Sequence, residues 1–146
     1  MMSSLNKIAM YFIFTGCNSS LGLQDGRVKD SQLSATSYRA YMYISRLRNS
    51  YNMKAKHGRL NNRLAWCGLG PAGNIRPVSY FQIDFGEEVH VTGLATQGFK
   101  NINSYFVKTY KVKFSINGSD WFNYSTPNKV WMGNTDSNTV KTNYFN

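Results

Sequence analysis

The stretch from Tyr80 to Tyr124 constrains the fold most, because its apolar residues recur at every second position. Tyr80-Phe81-Gln82-Ile83-Asp84-Phe85 ends at Gly86, and Val89 to Gly98 follows after a short turn. Tyr110-Lys111-Val112-Lys113-Phe114-Ser115-Ile116 alternates again, with Lys111 and Lys113 opposite the apolar set. Side chains of a strand point alternately to its two faces, so Phe81/Ile83/Phe85 and Tyr110/Val112/Phe114/Ile116 can each bury one face. Asn117-Gly118 then supplies residues that tolerate positive φ, as a tight reversal requires, before Trp121-Phe122-Asn123-Tyr124. The pattern predicts antiparallel β structure with a hairpin between Tyr110–Ile116 and Trp121–Tyr124.

A chain of 146 residues has room for one domain with a proper core, and its 15% aromatic content falls largely in these strand-like runs. The 17 Lys+Arg against 7 Asp+Glu leave a net charge of +10, which favours an anionic partner: a membrane surface, an acidic glycan or nucleic acid. Charge that serves only solubility is the alternative. Cys17 and Cys67 form no Cys-x-x-Cys pair, which argues against a zinc site, and no cofactor is expected. Asn18, Asn117 and Asn123 each begin an Asn-x-Ser triplet, a glycan acceptor in a secreted protein.

Residues 1–16 read as a short signal peptide or as a leftover leader. Lys7 precedes the apolar run Ile8 to Phe14, and Phe14 stands where cleavage after Gly16 would want a small residue. The run is too short to span a bilayer, which takes about 18 apolar residues. Cys17 to Ser37 is turn-rich, with a short strand within Val28 to Thr36. Tyr38 to Asn62 mixes tyrosines, methionines and basic residues without a clean period and reads mainly as long loops. Gly68-Leu69-Gly70-Pro71-Ala72-Gly73 has the G-x-G-x-x-G spacing, but Pro77 and the Tyr80 strand follow where a dinucleotide site needs a helix, so it reads as a flexible loop. Lys129 to Asn134 predicts another short strand and turn, and Asn143 to Asn146 shows no closing strand.

Taken in order, these residues resemble the discoidin domain, the coagulation factor five/eight C-type domain. Cys17, Leu21-Gly22-Leu23, Gly26, Val28, Asp30, Gln32-Leu33 and Ala35-Thr36-Ser37 are similar to the family opening, and Trp66 to its tryptophan. Phe81 to Gly86 is similar to "WLQIDLG", Val91 to Gly98 to "VTGIATQG", and Tyr105 to Tyr110 to "YVKSY". Ser115 to Trp121 is similar to "S.DG..W", and Gly133 to Asp136 to "GN.D". The family "ARLN" falls on Ser45-Arg46-Leu47-Arg48 or Gly58-Arg59-Leu60-Asn61, with spacing favouring the first. The resemblance covers residues 17–146 and implies an all-β, antiparallel jelly-roll sandwich, in agreement with the strand pattern. The family's closing segment and final cysteine have no counterpart, so the expectation is a domain without its C-terminal strands. Cys17 then lacks its usual disulfide partner, and a pairing with Cys67 stays open.

The resemblance also implies function. Discoidin domains bind through loops at one end of the sandwich, here the segments after Ser37, after Trp66 and after Gly98. Arg39, Tyr41, Met42, Tyr43, Arg46, Lys100, Asn101 and Ile102 are the expected contact residues. Apolar tips can enter a membrane interface while basic groups meet anionic headgroups; the same side chains can instead pack onto the sheet. The expected function is a non-catalytic extracellular recognition or adhesion module, secreted or at the cell surface. Its expected partner is an anionic phospholipid membrane or a cell-surface glycan, with a collagen-like matrix or receptor protein as the alternative. An enzyme would need a nucleophile, base and orienter together, and His57, His90 and Glu87-Glu88 supply no such set. No nucleic-acid-binding motif accompanies the charge.

Overall fold

The computed structural model describes residues 20–69, 79–102 and 105–145. Residues 1–16, where a signal peptide or leader was expected, Cys17, Asn18 and most of the glycine-rich segment (70–78) lie outside the described residues. Ten short strands form five antiparallel pairs, and no α-helix occurs among the described residues. β1 (Leu33–Ala35) pairs with β4 (Phe81–Ile83), with Leu33 opposite Ile83. β2 (Met42–Ile44) pairs with β3 (Asn49–Tyr51). β5 (Gly93–Gln97) pairs along its whole length with β10 (Val140–Tyr144). β6 (Thr109–Tyr110) pairs with β9 (Trp131–Met132), and β7 (Lys113–Phe114) with β8 (Phe122–Asn123). This is the antiparallel β structure that the alternation predicted, and the all-β class that the resemblance implied.

Several expectations need correction. Tyr38–Asn62 is largely turn and irregular, as expected, but it also holds the short β2–β3 hairpin, closed by a 3-10 turn at Ser45–Leu47 with Arg48 in the left-handed region at φ 49°. The end of the chain carries β10, although Val140-Lys141-Thr142-Asn143-Tyr144 is polar and poorly alternating. The predicted strand at Tyr110–Ile116 is broken into β6 and β7, and Ile116 is 80% exposed instead of facing the core. The expected hairpin does form. β7 and β8 pair around a loop in which Gly118 adopts φ +75°, a conformation that glycine reaches without Cβ strain.

One buried cluster centres on Leu23, Val28, Leu33, Trp66, Phe81, Leu94, Val107, Tyr110 and Phe145. Trp66 is fully enclosed; its ring lies 5.4 Å from that of Phe81, and its indole N–H donates to the Ser37 carbonyl at 2.9 Å. That bond satisfies the one polar atom which burial would otherwise leave unpaired. Phe145 continues the cluster towards Tyr124 (4.6 Å) and Trp131 (4.8 Å), and Tyr124 meets Phe114 edge-on. A second cluster gathers Met42, Ile44, Met53, Ala65, Cys67 and Phe99. All of β5 is buried, and Gln97 at its end spends its amide on Asn61 and Asn138. A Cβ on the neighbouring Gly98 would run into the backbone of Asp136 and Ser137, so this close approach requires glycine.

Arg59 fastens the opening segment to this frame. Its guanidinium donates to the carbonyls of Leu23 and Val28 and to the Asp30 carboxylate (2.7 Å). Gly58-Arg59-Leu60-Asn61 thus carries the internal anchor, whereas Arg46 in Ser45-Arg46-Leu47-Arg48 is exposed.

Candidate functional site

The β2–β3 hairpin shows how a local pattern sorts side chains. In β2, Met42 and Ile44 point inward and Tyr43 outward, as a period of two demands. Tyr43 is 65% exposed and the preceding Tyr41 84%, whereas Met42 is only 7% exposed. Met42 therefore belongs to the core and is no insertion tip. Ile102 is also corrected: it is half-buried and packs against the second cluster. The apolar part of the predicted contact set reduces to Tyr41 and Tyr43.

The polar part is brought together by the fold. The Arg46 guanidinium donates to the Lys100 carbonyl at 3.2 Å, which joins the hairpin to the loop after Gly98. That loop is tight: Ile102 N–H donates to Phe99 O, and Phe99 N–H to Tyr105 O, with the Phe99 ring fully buried as its root. Lys100 Nζ donates to Asn61 Oδ1 (3.1 Å), and Asn101 Nδ2 to Arg63 O (2.8 Å). Arg39 stands apart in role. Its backbone N–H donates to Cys67 O and its carbonyl accepts from Met53 N–H, so it stitches the second cluster together. Its Nε is buried without a hydrogen-bond partner among the described residues. Cys67 lies in that cluster, and Cys17 lies outside the described residues, so their pairing stays open.

Next to Lys100 lies a cleft that the sequence reading did not assemble. Gln24, Asp30, Lys56, His57, Arg59, Leu60, Asn61 and Asn62 line an open space of about 430 Å³. Burial lowers the His57 pKa from its ordinary value, the Lys56 and Lys54 charges push the same way, and Asp30 opposes them. His57 is thus held towards its neutral form in a basic surround. The signal for the cleft in sequence was faint: Asn61 adopts φ 56°, a conformation asparagine tolerates, and the 3-10 turn Ala55–His57 has no distinctive composition.

The described strands and turns thus bring basic and tyrosine-bearing segments to the surface of an all-β domain. The chain belongs to the F5/8 type C domain family, whose pattern matches residues 32–146. It is 33% identical over 138 residues to rat (Rattus norvegicus) lactadherin, which covers 90% of this chain and 30% of that protein. It is 29% identical over 143 residues to Mus musculus coagulation factor V, covering 90% of this chain and 6% of the other. With Canis lupus familiaris coagulation factor VIII it shares 33% identity over 129 residues, 86% of this chain and 5% of the other. The chain spans less than a third of the length of these relatives.

Proposed function

We propose that the domain binds anionic phospholipid membranes, with Tyr41 and Tyr43 entering the interface and Arg46, Lys100 and neighbouring Arg48 meeting the headgroups. The observation that carries this reading is the side-by-side exposure of two tyrosines on a hairpin whose intervening residue is anchored in the core. A tyrosine offers a large apolar body with a polar tip, which suits the headgroup boundary. Each basic side chain near an acidic leaflet adds about 1 kcal/mol. The reading is of a binder without catalysis: Asp30, the carboxylate lining the cleft, is bound to Arg59 instead of orienting His57 as a base.

The test uses phosphatidylserine vesicles against phosphatidylcholine vesicles. Binding to the first alone is expected. Tyr41→Ser/Tyr43→Ser should weaken it at low and high salt, while Arg46→Ala/Lys100→Ala should weaken it mainly at low salt, because only charge is screened, over about 10 Å at 0.1 M. Equal affinity of all three proteins would remove the loop face from the argument. A second reading rests on the cleft: its amides, Lys56 and His57 suit an acidic cell-surface sugar. Saturable glycan binding lost in Lys56→Ala/Asn62→Ala, with vesicles ignored, would favour it. Binding to matrix protein alone would favour neither.

A further inference from the structure

The β7–β8 hairpin carries two of the three Asn-x-Ser triplets, and they differ in setting. Asn117 lies in the loop at its apex, where residues 116–120 are all exposed. Its Oδ1 accepts from the backbone N–H of Ser119 and of Asp120, both at 2.9 Å, and from the Ser115 hydroxyl at 3.1 Å. The amide is therefore oriented, with oxygen towards the turn and Nδ2 away from those backbone donors. Nδ2 uses one hydrogen on Asp120 Oδ2 at 2.7 Å. Its second hydrogen has no partner among the described residues. Asn123 is different: it is half-buried inside β8, opposite Lys113, and is followed by Tyr124, whose ring packs on Phe145.

We propose that Asn117 is an N-glycosylation site of this domain and that Asn123 is not. The donor is an oligosaccharide carried on a lipid pyrophosphate. Nδ2 bonds to the anomeric carbon, the bond from that carbon to the pyrophosphate oxygen breaks, and the lipid pyrophosphate leaves with the electron pair while Nδ2 gives up one proton. The product amide keeps one N–H to donate, and Oδ1 keeps the Ser119 and Asp120 N–H groups and the Ser115 hydroxyl. Modification at Asn117 leaves the turn's bonds to Oδ1 in place. At Asn123 it would have to displace the sheet edge around a half-buried side chain. A hydrophilic oligosaccharide at the apex would stand beside exposed Ile116, Trp121 and Phe122. It would thus keep this second apolar surface out of a membrane and leave Tyr41 and Tyr43 as the inserting pair.

The test is expression of the full chain behind a secretion signal in eukaryotic cells. Peptide mass spectrometry then follows a glycosidase that converts a glycan-bearing Asn to Asp, applied to medium and cell extract alike. The expected result is conversion at Asn117 and not at Asn123. Ser119→Ala should abolish conversion at 117 while keeping the turn, since only the backbone N–H of Ser119 bonds to Asn117. Ser125→Ala should leave it unchanged. A bare Asn117 in the wild-type chain, conversion that persists in Ser119→Ala, or conversion at Asn123 would overturn the assignment.

Discussion

Replacing Arg59 by Ala isolates what holds the opening segment to the sandwich. The side chain is 13% exposed and donates to two backbone carbonyls and to a carboxylate that is itself 59% exposed. A bond from a charged donor contributes about 1.5–3 kcal/mol. The cleft is open, so water can reach the abandoned carbonyls and the lower end applies, about 3 kcal/mol for the two. The pairing with exposed Asp30 adds about 0–1 kcal/mol. Urea unfolding of Arg59→Ala should therefore show a loss of about 3–4 kcal/mol, or about 9–16 °C in Tm at about 3–4 °C per kcal/mol for a domain of this size. Asp30→Ala should lose less than about 1 kcal/mol. The contrast between the variants decides whether the carbonyls or the ion pair hold the segment. Equal losses in both, or a loss below about 1 kcal/mol in Arg59→Ala, would refute the reasoning.

Met42→Ala should cost about 2–5 kcal/mol in the same assay, while Tyr41→Ser/Tyr43→Ser should stay within about 0.5 kcal/mol of wild type. Gly98→Ala should be strongly destabilising because the clash is with backbone, which has little freedom to yield; a normal Tm would sink that account. Burial lowers the His57 pKa in the folded state, so below its ordinary 6.5 the unfolded chain binds more protons. Stability should then fall as pH drops below 6.5 and level off below the folded-state pKa, and the slope should vanish in His57→Gln. Asp136 behaves as a depressed carboxylate because the Thr139 and Asn138 N–H groups bond to it. Its contribution is present above the ordinary 3.8 and is lost as pH falls through the folded value, and Asp136→Asn should flatten that part of an acid-unfolding curve.

Legibility in the sequence followed the length and regularity of each pattern. Phe81 and Tyr110 are buried, and Ile83, Phe85 and Val112 pack half-buried on the same cluster, so the β character of these runs was readable. Alternation misled at Ile116, because a period says which residues share a face and not where the covered part of that face ends. β2 and β3 have three residues each, and at that length neither composition nor period separates a strand from a loop. β10 was hidden for another reason. It pairs with fully buried β5 and takes its partner's register from that ladder, so its own sequence, with Lys141 and Asn143, need not alternate. The contact residues were partly legible as a set of types. Their grouping was not, since Arg46 meets Lys100 across 54 residues of sequence and Lys100 meets Asn61 across 39. Met42 was misjudged because an apolar residue between two tyrosines reads as part of the same tip until the strand alternates it inward.

That alternation also bears on how the proposed membrane contact could be strong with so few side chains. Tyr43 is flanked in β2 by two core residues, Met42 and Ile44, and its backbone is paired to Ser50 of β3. A tip held in this way loses little backbone freedom on entering an interface, whereas a tip on an unpaired loop would lose about 1–2 kcal/mol per ordered residue. The basic groups are restrained as well: Arg46 and Lys100 each use a hydrogen bond to a neighbouring loop, which narrows the positions their charges sample. In the proposed contact, rigid presentation would let two tyrosines and a few charges read a flat anionic surface selectively. The same rigidity explains why the hairpin cannot exchange its apolar residues freely: moving the pattern by one position would put Met42 into water and Tyr43 into the space that Met42 fills beside Phe99.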